Sequence, residues 1–82
     1  MNTQFALSVG AWSEPKISAP DKRLLRRIGQ DMKHMYPGNW MSAIESYSLD
    51  HPRTLMGCRR VYQYLSNLNG AQAIALWHEV TK

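Results

Sequence analysis

The sequence predicts an all-α domain, a compact bundle of about four short helices behind an extended N-terminal arm. Two observations predict it. From Ser18 onward, apolar residues recur at three- and four-residue spacing, the period of a helix that buries one face. The periodic stretches are also separated by start and stop residues: Ser-Ala-Pro-Asp, Tyr-Pro-Gly-Asn, Asp-His-Pro and Asn-Leu-Asn-Gly. The chain therefore divides into an arm, residues 1–17, and one helical domain, residues 18–82.

The arm follows a different period. Phe5, Leu7 and Val9 alternate with Gln4, Ala6 and Ser8, the pattern of a half-buried strand. Gly10 ends the run, and Trp12 precedes a break at Ser13-Glu14-Pro15. No second strand is legible, and an isolated strand is not stable, so its backbone hydrogen bonds must go elsewhere. Two destinations are open. The segment pairs edge to edge, with its twin in a homodimer through residues 4–9 or with a sheet in another protein. Alternatively it lies across the helices, and Phe5, Leu7 and Trp12 complete the core.

The first helix opens at Ser18-Ala19-Pro20-Asp21, an N-cap with an early proline and an acid at the fourth position. Leu24, Leu25, Ile28, Met32 and Met35 form its stripe, which carries it to His34 or Tyr36. Tyr36-Pro37-Gly38 stops it, and Asn39 is placed to cap the second helix, with Trp40, Met41, Ala43, Ile44 and Tyr47 inward. Asp50 is expected to cap the third helix and Pro52 to sit in its first turn; Leu55, Cys58, Val61, Tyr62, Leu65 and Leu68 face inward. Asn69 or Gly70 opens the last helix, with Ala73, Ile74, Trp77 and Val80 on its buried side.

Composition narrows the function classes. Eighty-two residues suffice for one small core, and the apolar runs are too short for a membrane span. The N-terminus lacks the basic and apolar regions of a signal peptide, and a lone cysteine, Cys58, fits a reducing cytoplasm. Catalysis is not expected. Asp21 and Asp50 read as caps, and Asp31, Glu45 and Glu79 as surface acids. His34, His51, His78 and Cys58 show no metal-ligand or nucleophile spacing. Glycines stand singly, so no phosphate-cradling loop exists. No cofactor, metal or catalytic residue is assigned.

Binding remains. The leading expectation is a cytoplasmic accessory protein, an inhibitor or adaptor, that acts by steric occupation of another protein's acidic or nucleic-acid-binding surface. Interface-type residues supply its candidate anchors: Phe5, Leu7 and Val9 in the arm, Tyr36 and Trp40 at an exposed corner, and Met56, Arg60 and Tyr64 along one helix edge. The alternative is a DNA- or RNA-binding regulator. The formal charge is +4, and Arg23, Arg26, Arg27, Arg59 and Arg60 are its phosphate-contact candidates. On the first helix, Arg23, Arg27 and Gln30 form one edge and Lys22, Arg26 and Lys33 another, both clear of the apolar stripe. A helix-turn-helix fits poorly, because Ser48-Leu49-Asp50-His51-Pro52 lacks the turn glycine.

Overall fold

The computed structural model describes residues 17–82. It contains α1 (Ala19–Met32), α2 (Trp40–Asp50), a short 3-10 turn (Pro52–Thr54), α3 (Leu55–Asn67) and α4 (Gly70–Val80). All regular structure among the described residues is helical, as the periodicity requires. The alternating segment Phe5–Val9, Trp12 and the dimer contact expected of residues 4–9 lie outside the described residues.

Local chemistry sets most of the helix boundaries. Ser18 caps α1 from an extended conformation, its hydroxyl accepting the Asp21 N–H at 3.3 Å. Asn39 caps α2 by accepting from the Ser42 N–H at 3.2 Å. Asn69 and Gln72 form a reciprocal capping box on α4: Asn69 Oδ1 accepts the Gln72 N–H at 2.8 Å, and Gln72 Oε1 accepts the Asn69 N–H at 3.3 Å. Each such cap contributes about 1 kcal/mol. Between α1 and α2 the chain reverses through Gly38, whose φ of +80° lies in the left-handed region.

Two boundaries differ from expectation. Helix α1 stops at Met32, because the N–H groups of Met35 and Tyr36 both bond to the Met32 carbonyl and tighten its end into a turn. Met35 is thereby left exposed. Asp50 does not cap α3; it is the last residue of α2. Pro52 drives the residue before it out of the helical region, and His51 sits at φ −132°, ψ 70°. A 3-10 turn follows, in which the Thr54 hydroxyl donates to the His51 carbonyl at 2.7 Å, and α3 starts at Leu55 without a side-chain cap.

One core joins all four helices. Leu25, Ile28 and Met32 of α1 meet Trp40, Ile44 and Tyr47 of α2, Val61 and Leu65 of α3, and Ala73, Trp77 and Val80 of α4. Cys58 is a buried thiol within it, and Ile17 packs against its edge. Trp40 and Tyr62 meet edge to face at 5.2 Å, a favoured aromatic geometry. Where α1 crosses the end of α4, Gly29 admits the Val80 backbone, and the Gln30 amide donates to the carbonyls of Val80 and Lys82 at 2.8 and 2.9 Å. These bonds satisfy carbonyls that the end of α4 cannot pair internally.

Several residues expected inward face solvent. Met41 and Ile74 are about half exposed and Leu55 is 41% exposed. Met41 and Ile74 each stand one residue after the start of a strict i, i+3, i+4, i+7 stripe: Trp40-Ala43-Ile44-Tyr47 and Ala73-Leu76-Trp77-Val80. One step along a helix turns a side chain by about 100°, enough to leave the buried face.

Candidate interaction surfaces

The outer face of α1 concentrates positive charge. Its buried positions are Asp21, Leu25, Ile28, Gly29 and Met32, and the arc opposite them carries Lys22, Arg23, Arg26 and Arg27, all exposed. Lys33 continues the row, half-buried, with its ammonium donating to Gln30 Oε1 at 3.2 Å. No carboxylate among the described residues pairs with these cations. The two edges read from the sequence therefore lie on one basic face, about three turns long from Lys22 to Lys33.

The five arginines named as phosphate-contact candidates do not lie on one surface. Arg23, Arg26 and Arg27 lie on this α1 face. Arg60 is committed elsewhere: its Nε donates to Asp21 Oδ2 at 2.8 Å and its Nη2 to Oδ1 at 3.1 Å. Hydrogen bonding to Arg60 holds the Asp21 carboxyl below its ordinary value against the opposing effect of burial, and the same contact raises Arg60. Arg59 lines a different surface, the cleft between α2 and α3, together with Glu45.

That cleft, of about 490 Å³, has Ile44, Cys58 and Tyr62 at its base and Leu55 on its α3 wall. Glu45 on α2 and Arg59 on α3 give it one charge of each sign. A second, composite groove flanks Ile17. On one side it runs over Leu25, Leu76 and Val80 with Lys22 and Arg26 at the rim; on the other it reaches Pro20, Asp21 and Arg60, with Tyr64 common to both.

The expected protein-binding anchors are redistributed. Trp40 is a correction: it is only 7% exposed and belongs to the core, not to an exposed corner. Tyr36 is half-buried, and its phenol oxygen accepts the Ser46 hydroxyl at 3.0 Å. Tyr64 is half-buried at the Ile17 groove, and Met56 stands 61% exposed. Arg60 is held by Asp21, and Phe5, Leu7 and Val9 lie outside the described residues. The exposed corner fails because Asn39 caps α2 and turns the next residue, Trp40, into the bundle.

Sequence reading missed Leu76 and Ile17 as groove residues, and Glu45 and Leu55 as cleft walls. The signal for Leu76 was present: it keeps the i+3 spacing from Ala73 that Ile74 breaks. None of the histidines and acids gathers in a group of three or more suited to a metal among the described residues. His34 and His78 line one shallow depression, and the His51 ring stacks on Tyr47 at 4.0 Å. No described helix is long and apolar enough to cross a membrane. Comparison of the chain with family models, with curated proteins and with solved structures finds no match.

Proposed function

We propose that this chain is a non-enzymatic binding module whose contact surface is the outer face of α1, and that the surface takes the phosphate backbone of a nucleic acid. The observation that carries the reading is the row of Lys22, Arg23, Arg26 and Arg27, exposed together and without an acidic neighbour paired to them among the described residues. Cations in a row on a rigid helix release condensed counterions when they meet a polyanion, and that release drives binding. Trp40, Tyr47 and Trp77 are buried, which leaves this face without their rings as stacking platforms and favours backbone contact over base stacking. The module works in the cytoplasm, in keeping with its unpaired thiol, Cys58.

The test is binding to random-sequence duplex DNA across a salt series. Affinity should fall linearly on a log–log plot. Arg23→Glu with Arg27→Glu should flatten the slope by about 2, since each phosphate contact contributes about 0.9. No binding at low salt would sink the reading.

A second reading has its own observation. The α2–α3 cleft sets an apolar base between Glu45 and Arg59, a surface suited to a protein partner that the module would block or bridge. Binding lost on Leu55→Glu but kept in the α1 double variant would favour that reading.

A further inference from the structure

Helices α2 and α3 carry matching exposed rows at four-residue spacing, Met41-Glu45-Leu49 on one and Leu55-Arg59-Gln63 on the other. The rows flank the cleft whose base is Ile44, Cys58 and Tyr62. Met41, Leu49, Leu55 and Met56 are four of the six large apolar side chains that stay exposed among the described residues, so the exposed apolar surface gathers on these two helices. Two of the polar groups at the cleft are satisfied within their own helices. The Ser48 hydroxyl donates to the Glu45 carbonyl at 2.7 Å, and the Gln63 amide donates to Asn67 Oδ1 at 3.2 Å. The Glu45 carboxylate and the Arg59 guanidinium form no ion pair, with each other or with any other described residue.

We infer that a second copy of this chain occupies the cleft, giving a homodimer in which α2 of each protomer lies over α3 of its partner; this rests on the second reading of the cleft, as a protein contact, and names the protein. Self-complementary charge singles out a second copy. A two-fold axis running along the cleft exchanges its walls, so Glu45 meets the partner's Arg59 while Arg59 meets the partner's Glu45. One rotation therefore pairs both open charges, twice over. It also brings Leu49 toward the partner's Leu55, because these two flank the short connection between α2 and α3 and stand at one end of the helix pair. At that end Asp50 and Arg53, both exposed, again supply one charge of each sign. The face is balanced on a chain of formal charge +4, so two copies meet there without the repulsion that two α1 faces would produce. No α1 residue lines the cleft, and a dimer formed through it keeps Lys22, Arg23, Arg26 and Arg27 of both protomers open.

Sedimentation equilibrium of the full chain over a concentration series tests this. The mass should rise from the 9.4 kDa of one chain toward twice that value. Glu45→Arg and Arg59→Glu each set like charges against one another at both symmetry-related contacts. Each should weaken self-association by about tenfold or more, with the helical circular dichroism retained. Mixing the two variants restores opposite charges at both contacts, so the equimolar mixture should dimerise although neither variant does alone. A mixture that stays monomeric would overturn the inference, as would dimers that persist in both single variants and so use another surface. An unmodified chain that is monomeric at every concentration would overturn it too. That last result removes the second copy alone; the broader reading of the cleft falls only if Leu55→Glu leaves the binding of a different protein intact.

Discussion

The carboxylate of Asp21 accepts both Nε and Nη2 of Arg60, at 2.8 and 3.1 Å, across thirty-nine residues of sequence. The pair fastens the first turn of α1 to the middle of α3. The Asp21 side chain is 8% exposed and that of Arg60 61%, so a buried acid is neutralised by a guanidinium that stays hydrated on its far side. The forked, planar geometry of Arg suits this contact in a way a lysine ammonium cannot.

That contact makes stability depend on acid. Arg60 lowers the Asp21 pKa in the folded state, so the unfolded chain holds this proton more tightly. The contribution is therefore complete above the ordinary carboxylate value of about 3.9 and is lost as pH falls below it, through the depressed folded value. The melting temperature followed from pH 7 to pH 2 should drop over the lower part of that range. In Asp21→Asn the drop should be shallower, starting from a lower melting temperature at pH 7. An equal acid slope in both proteins would show that other carboxylates govern the transition.

The same pair separates two arginines that look equivalent in sequence. Arg60→Gln should lower the melting temperature, because it leaves the Asp21 carboxylate without its principal partner, and should change duplex affinity little. Arg27→Gln should do the reverse, with the melting temperature held and the salt slope reduced by about 0.9. Thermal melts and binding isotherms on the two variants check this. If both lose affinity equally, the phosphate surface extends from α1 across to α3.

Gly29 is where helix preference and packing oppose each other. Alanine is intrinsically better in a helix interior by about 1 kcal/mol. A Cβ on Gly29, however, would lie 2.8 Å from Val80 Cγ2 and 2.9 Å from the Val80 carbonyl oxygen. The methyl could turn aside; the backbone cannot without moving α4. Overpacking of this kind costs about 1–3 kcal/mol, so Gly29→Ala should be net destabilising, with a lower urea midpoint. Gly38→Ala should also destabilise, by about 1–2 kcal/mol, for a different reason: nothing crowds its Cβ, but φ is +80°.

The contrast between those two glycines shows what the sequence could carry. Gly38 was legible as a turn because Tyr-Pro-Gly-Asn is local chemistry, as were the caps at Ser18, Asn39 and Asn69. Gly29 reads only as a weak spot in a helix until α4 is laid against it. Asp21 likewise looked sufficient as a first-turn acid, and its tie to Arg60 depends on how α1 and α3 cross, which no short-range pattern encodes. Trp40 was misread for a related reason: large aromatic residues suit interfaces and cores alike, and the stripe Trp40-Ala43-Ile44-Tyr47 was the better guide. The basic face of α1 was visible in outline, since exposure on a helix follows from period alone. The separation of Arg59 from Arg60 was not, because it needs both neighbours of α3.

Gln30 offers the sharpest test of how α4 is held. It sits on the exposed side of α1, yet its amide nitrogen donates to the carbonyls of Val80 and Lys82, fifty and fifty-two residues away. Gln30→Ala removes both bonds while improving helix propensity slightly, and each lost bond is worth about 1 kcal/mol. The loss should be local, because Trp77 and Ala73 anchor the preceding turns of α4 in the core and the capping box at Asn69 holds its start. Hydrogen exchange should therefore quicken at the amides of the last turn of α4, up to Thr81, and stay unchanged near Ala73. Gln30→Glu sharpens the comparison: a carboxylate cannot donate to those carbonyls and would repel them, so exchange there should be at least as fast as in the alanine variant. Uniform acceleration along α4 would instead mean that this pair of bonds, more than the Trp77 contacts, docks the helix.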